Sequence, residues 1–112
     1  MANRRIDHVE LMLSAASQAI SYVKGMTKDE FLADPKTQDA VIMKLLVIGE
    51  LAAQLLDDYA EFTSTNATIP WSQMKGMRNR MAHGYFERDL DVIWDTVQTS
   101  IPDLELNLKQ LS

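Results

Sequence analysis

The stretch from Val41 to Leu56 reads Val-Ile-Met-Lys-Leu-Leu-Val-Ile-Gly-Glu-Leu-Ala-Ala-Gln-Leu-Leu, and it decides the fold. Its apolar residues recur at steps of three and four, which is the spacing of one face of an α-helix. That face consists of Val41, Leu45, Ile48, Ala52, Leu55 and Tyr59, widened by Ile42, Leu46, Ala53 and Leu56. The pattern predicts a helix from about Pro35 to about Tyr59, and it is expected to be the most buried helix.

Gly49 and Glu50 stand in the middle of this helix. Glycine inside a helix costs about 1 kcal/mol relative to alanine, so Gly49 indicates the close approach of a neighbouring helix. Glu50 is interpreted as a solvated or paired carboxylate rather than a catalytic one. A supporting role for Glu50 beside the basic segment of the chain stays open.

Outside this helix, local signals predict where the preceding elements begin and end. Asn3 can cap a first helix, and its apolar stripe ends before Gly25, which is expected in the left-handed conformation. Thr27 and Glu30 have the spacing of a capping box, which predicts a short helix. Asp34 followed by proline then starts the central helix.

Two more helices are predicted after a loop at residues 63–68. Ile69-Pro70-Trp71 opens the fourth helix, with a packing stripe of Met74, Met77 and Met81, and Gly84 is placed to end it. Asp89 can cap the last helix, whose apolar stripe continues past Pro102, so a kink is expected there rather than a stop. The fold class is therefore all-α: an antiparallel bundle of four main helices plus one short helix, forming one domain over residues 1–112.

Composition narrows the possible functions. The chain has 112 residues, is 46% hydrophobic and has no cysteine, so a disulfide framework or thiolate metal site is excluded. Its two histidines are far apart, and no metal or other cofactor is expected. No apolar run could span a bilayer and no export signal is recognised, which predicts a cytoplasmic protein. The net charge of −5 means that any RNA contact must come from a local basic patch.

That patch is predicted between Trp71 and Phe86, which reads Trp-Ser-Gln-Met-Lys-Gly-Met-Arg-Asn-Arg-Met-Ala-His-Gly-Tyr-Phe. Its basic and polar residues are Lys75, Arg78, Asn79, Arg80, His83 and Tyr85. Arg78 and His83 are five residues apart, about 140° around an ideal helix, so they converge only if His83 lies at the helix end. Asn79 and His83 are four apart and share a face.

An arginine and a histidine together suit the cleavage of RNA without a metal. The RNA 2′-hydroxyl is an internal nucleophile, so the enzyme needs a group that moves protons, and imidazole titrates in the right range. It also needs fixed positive charge on the phosphorane oxygens, which a guanidinium supplies. Asn79 could orient His83 or the phosphate, and Lys75 and Arg80 could bind RNA.

On spacing alone, ordinary structural roles are the more common explanation of the same residues. A histidine at a helix end is often a C-cap, and a helical arginine is usually solvated. His8 lies beside the apolar stripe of the first helix and is interpreted as a surface residue. From spacing alone, catalysis is the less common outcome for such a short pattern.

The segment Arg78-Asn79-Arg80-Met81-Ala82-His83-Gly84-Tyr85 resembles the Arg-x-x-x-x-His-x-Tyr signature of HepT-like proteins of the HEPN superfamily. The resemblance extends to Ile48-Gly49-Glu50, to Ile69-Pro70-Trp71, to Asp89-Leu90 with Trp94, and to Ile101-Pro102. It thus covers most of the chain.

The resemblance implies a helical, usually dimeric, metal-independent ribonuclease that acts as the toxin of a type VII toxin–antitoxin system. Its partner would be an MntA-like nucleotidyltransferase, which neutralises the toxin by transferring AMP to a tyrosine. By position, Arg78 and His83 would be catalytic, Asn79 supporting, and Tyr85 the modification site.

Two other functions stay open on the sequence. The first is a non-catalytic subunit that binds nucleotide or RNA and partners a minimal nucleotidyltransferase, in which Arg78 and His83 only bind phosphate. The second is a structural dimerisation bundle. The intact set of Arg78, Asn79, His83 and Tyr85 favours the ribonuclease, whereas the acidic net charge is the main feature against it.

Overall fold

The computed structural model describes residues 4–83 and 89–111, and all the regular structure in these two ranges is helical. The elements are α1 (Arg4–Tyr22), α2 (Lys28–Leu32), α3 (Pro35–Asp58), α4 (Ala60–Thr65), α5 (Trp71–His83), α6 (Leu90–Asp95), a π-helical turn (Thr96–Ser100) and α7 (Ile101–Leu111). The last three elements follow one another without a break and form one continuous helical segment. Because every described element is helical, the all-α prediction is confirmed.

Helix α3 is the centre of the bundle. It packs against both α1 and α5, and α1 also packs against α7. The largest fully buried side chains come from several of these elements and form one core: Met12, Phe31, Val41, Leu45, Ile48, Leu55, Ile69, Val97 and Leu108. The expectation that the central helix is heavily buried is confirmed by the residues it supplies to this core.

The predicted helix ends at Gly25, Thr27, Asp34 and Asp89 are confirmed, whereas the cap expected at Asn3 lies outside the described residues. Gly25 has a φ of +80°, the left-handed conformation that lets glycine end a helix. Thr27 and Glu30 form the reciprocal capping box, and Asp34 accepts a hydrogen bond from the Thr37 amide at the start of α3. Asp89 accepts from the amides of residues 91 and 92 and so caps α6.

The loop expected at residues 63–68 is partly wrong, because α4 runs to Thr65. The hydroxyl of Thr63 donates to the Ala60 carbonyl oxygen at 3.0 Å, and that of Thr65 donates to the Glu61 carbonyl oxygen at 2.9 Å. These threonines therefore satisfy their hydroxyls on the helix itself, and a polar, β-branched sequence remains helical. The described bundle consequently contains two short helices, α2 and α4, rather than one.

The helical path continues past Pro102, as the apolar stripe predicted. The irregularity lies just before the proline, where the Ile101 amide donates to the Thr96 carbonyl oxygen in a π-type bond. A wider turn suits this position because proline has no amide hydrogen for the regular α-helical bond. None of the helices within the described ranges is long and apolar enough to cross a membrane.

Candidate active site

The close contact between α3 and α5 at Gly49 positions the candidate site. A Cβ atom added to Gly49 would lie 2.7 Å from the Met74 carbonyl oxygen and 3.3 Å from the Arg78 Cα, so no side chain fits there. The predicted reason for a glycine inside α3, the approach of a neighbouring helix, is therefore confirmed. This contact places the first part of the Arg78 side chain directly against α3, next to Glu50.

Arg78 and Glu50 form an ion pair at the surface of this contact. The Arg78 Nη1 donates to the Glu50 Oε2 at 2.6 Å, and the two side chains are 25% and 53% exposed. The interpretation of Glu50 as a solvated or paired carboxylate is confirmed. The bond from Arg78, followed by a bond from Gln54, holds the pKa of the Glu50 carboxyl below its ordinary value, so the pair stays charged at neutral pH.

Asn79 fixes the other side of the same guanidinium. Its Oδ1 accepts from the Arg78 Nε at 3.0 Å and from the Arg78 Nη2 at 2.6 Å. The sequence suggested that Asn79 would orient His83 or a phosphate, but in the structure its carbonyl oxygen is directed at Arg78. Arg78 is thus held by an amide oxygen on one side and a carboxylate on another.

These bonds leave donors available on Arg78. A guanidinium has five N–H bonds, and three of them are used by Asn79 and Glu50. Within the described ranges, one N–H on Nη1 and one on Nη2 remain for another acceptor. Two N–H donors on one planar group match the geometry of a phosphate.

His83 is the last described residue of α5, and its side chain is exposed. Among the described residues, no hydrogen bond joins its ring to Arg78 or to Asn79. The convergence of His83 with Arg78 at a helix end therefore stays a prediction. The next residues, 84–88, lie outside the described ranges, and so do the expected roles of Gly84 in ending the helix and of Tyr85 as a modification site.

The basic residues that the sequence grouped together are divided between two sides of α5. Arg78 lines an apolar groove of about 390 Å³ with Leu46, Val47, Glu50, Leu51 and Ala82. Arg80, two residues on and about 200° around the helix, lines a different groove towards α7. Lys75 is partly buried on α5, whereas Arg80 is exposed. Arg78 therefore carries the candidate site on the α3 side of the helix.

Sequence reasoning missed two residues next to this site. His8, interpreted as a surface residue, is only partly exposed, and its Nε2 lies 2.6 Å from the Gln54 Oε1. The Gln54 Nε2 donates to Glu50 at 3.3 Å. The spacing of four between Glu50 and Gln54 was visible in the sequence and is that of two neighbours on one helix face. Nothing in the sequence indicated that His8 would meet them.

Comparison with known proteins identifies the family to which the chain belongs. The chain belongs to the Ribonuclease HepT-like family, whose family model matches residues 12–111. It therefore belongs to a ribonuclease family of the HEPN superfamily with an all-α fold, as the resemblance at Arg78–Tyr85 implied.

Individual relatives agree with this assignment. The chain is 34% identical to a protein of Thermococcus cleftensis named "Probable ribonuclease HepT", over 94% of this chain and 93% of that one. It is 32% identical, over 93% of this chain and 90% of the other, to a Caldanaerobacter subterraneus subsp. tengcongensis protein named "Putative RNase". A Methanocaldococcus jannaschii protein with the same kind of name is 38% identical over 82% of this chain and 74% of that one. No solved structure matches the chain.

Proposed function

We propose that this protein is a metal-independent endoribonuclease in which Arg78 and His83 carry out the cleavage. The observation that carries this proposal is the fixed guanidinium of Arg78, which keeps two donors available on the helix that also carries the exposed imidazole of His83. Membership of a ribonuclease family supports RNA as the substrate.

The chemistry needs only proton transfer and charge stabilisation. The 2′-oxygen of the RNA attacks phosphorus and loses its proton, the bond to the 5′-oxygen breaks, and that oxygen takes up a proton. His83 serves these transfers because an imidazole both accepts and donates a proton near neutral pH. Arg78 stabilises the negative charge on the non-bridging oxygens through its two remaining N–H groups.

The active form in this proposal is a homodimer. One Arg78 and one His83 make a small site on an acidic chain, and a two-fold dimer would bring two such sites into one cleft. The apolar groove beside Arg78 supports this arrangement, because Leu46, Val47, Leu51 and Ala82 offer contact surface next to the catalytic arginine.

The biological role in this proposal is that of a toxin in a type VII toxin–antitoxin system. The partner is an MntA-like nucleotidyltransferase that transfers AMP to Tyr85. Tyr85 is two residues from His83 in the sequence. The phosphodiester of the added AMP would therefore compete with the substrate phosphate for the Arg78 donors. This role and this partner are supported by the match of residues 78–85 to the signature of the family.

The test is an RNase assay in EDTA that compares the wild type with His83→Ala. The proposal predicts metal-independent cleavage by the wild type and its loss in the variant, with RNA binding retained. Equal binding and no cleavage by either protein would instead indicate the non-catalytic subunit of a nucleotidyltransferase.

A further inference from the structure

A chain of hydrogen bonds connects α1 to the candidate arginine on α5. The His8 Nδ1 lies 2.6 Å from the Arg4 carbonyl oxygen, and its Nε2 lies 2.6 Å from the Gln54 Oε1. Gln54 continues to Glu50 at 3.3 Å, and Glu50 accepts from Arg78 at 2.6 Å. Three helices that are far apart in sequence thus meet along one polar line that ends at Arg78.

The direction of each bond follows from what each group can donate. Glu50 is a carboxylate and only accepts, so the Gln54 group that faces it is the amide nitrogen. The Gln54 oxygen therefore faces His8, and the His8 Nε2 has to be the donor of that bond. Because the His8 Nδ1 also faces a carbonyl oxygen, the two bonds together require an N–H on each ring nitrogen. If the Gln54 amide were turned by half a rotation, its oxygen would face the Glu50 carboxylate oxygen, and the two acceptors would repel each other. The donor on His8 consequently selects the Gln54 orientation that supports Glu50.

We infer that His8, Gln54 and Glu50 are positioning residues for Arg78. Arginine has a long side chain with many rotamers, and a misplacement of the guanidinium by about 1 Å is enough to impair catalysis. Asn79 is on the same helix as Arg78 and moves with it. Glu50 is on α3 and is itself held by Gln54 and His8, so it fixes the guanidinium relative to the rest of the bundle. This inference rests on the proposed ribonuclease function.

Two amide variants of His8 separate this role from an ordinary surface role. In His8→Gln, the side-chain nitrogen can occupy the place of the histidine Nε2 and still donate to Gln54. In His8→Asn, the shorter side chain can replace only the Nδ1 donor to the Arg4 carbonyl oxygen. Both variants are polar, uncharged amides at a partly exposed position, so neither empties the core.

The expected kinetic result is a change in kcat rather than in KM. We expect His8→Asn to lower kcat on the order of tenfold with little change in KM, because RNA binding does not depend on the exact guanidinium position. His8→Gln should restore most of the lost kcat. Equal kcat values for the two variants would overturn the inference, and their melting temperatures establish that both are folded.

A second measurement does not depend on activity. The ¹H–¹⁵N signal of the Arg78 Nε group, assigned by its loss in Arg78→Lys, reports on the hydrogen bond to Asn79 and on side-chain order. We expect this signal to shift or broaden in His8→Asn and to return towards the wild-type position in His8→Gln. An unchanged signal in His8→Asn overturns the inference even if the protein is a ribonuclease. Absence of cleavage by the wild type sinks the proposed function, while this signal still decides whether the chain positions Arg78.

Discussion

Gly49 of α3 lies directly against Arg78 of α5, and the Arg78 Cα is 3.3 Å from where a Gly49 Cβ would stand. The backbone that carries the candidate catalytic arginine is therefore in contact with the central helix, without an intervening side chain. A change at Gly49 moves the site, although Gly49 itself is not a chemical group of the site.

Gly49→Ala should destabilise the protein and reduce cleavage. The new methyl group forces α5 away from α3, and overpacking of this kind costs roughly 1–3 kcal/mol. Gly76→Ala is the matched control, because Gly76 is also helical but its added Cβ would meet only the end of the Arg80 side chain, at 3.6 Å. The control should be neutral or gain up to about 1 kcal/mol from helix propensity. Urea unfolding measures both, and equal stability of the two variants would contradict the packing argument.

Arg78→Lys should lower the cleavage rate far more than RNA affinity. Lysine keeps the charge but loses the planar donors that Asn79 and Glu50 hold in place. Arg80→Lys, on the other side of α5, should keep both properties, since a role in binding RNA needs only charge. Single-turnover cleavage and equilibrium binding separate the two effects. Near-normal cleavage by Arg78→Lys would count against a geometric role for the guanidinium.

The Glu50–Arg78 pair predicts a pH-dependent contribution to stability. The pKa of Glu50 is lowered in the folded protein from 4.5, so its contribution is present above that pH and is lost as the pH falls through the folded pKa. Because the Glu50 side chain is more than half exposed, wild type should exceed Glu50→Gln by less than about 1 kcal/mol at neutral pH. Unfolding curves between neutral and acidic pH test this. A difference that grows on acidification would have the wrong sign.

If the proposed function holds, Tyr85→Phe should remain an active ribonuclease and escape neutralisation by the proposed nucleotidyltransferase partner. The cleavage reaction has no step that needs the Tyr85 hydroxyl, whereas adenylylation requires it as the acceptor. Intact mass is measured after incubation with the partner, ATP and magnesium. A gain of whole AMP units on wild type alone would support the site, and the same gain on both proteins would place the modification elsewhere.

Val47→Asp should weaken the proposed dimer. A carboxylate in the apolar groove would lose hydration on association, which disfavours burial of this face. Leu106→Asp is the control, because Leu106 is an exposed leucine of α7 and does not line this groove. Light scattering at micromolar concentration gives the masses. A wild-type protein that is monomeric and fully active would contradict the proposal that the active form is a dimer.

The sequence predicted those parts of the structure that depend on near neighbours. Thr27 with Glu30 and Asp34 with Pro35 are local signals, and both helix starts are confirmed. Gly49 could be interpreted because glycine inside a helix has a known cost. The loop predicted at Thr63 and Thr65 was wrong, because a hydrophobic pattern does not indicate whether a threonine hydroxyl bonds to its own helix.

The sequence indicated candidate residues for the site but not how they are arranged. The spacing of residues 78–83 suggested one cationic cluster, whereas the rotation of the helix separates Arg78 from Arg80. The bond between His8 and Gln54 joins residues 46 positions apart. It depends on how α1 crosses α3, which is set by packing across the whole interface and not by either local sequence.

The π turn at Thr96–Ser100 implies that one residue can be removed there without changing which face of α7 is buried. A π turn contains one residue more than the regular helix needs for the same path. Deleting one exposed residue, such as Thr99, should therefore keep Leu104 and Leu108 on the core side of α7. The deletion would place Pro102 inside a regular α-helix, at a cost of about 3 kcal/mol, and Pro102→Ala should recover that stability. The segment can thus change by one residue without reorienting the helix that follows.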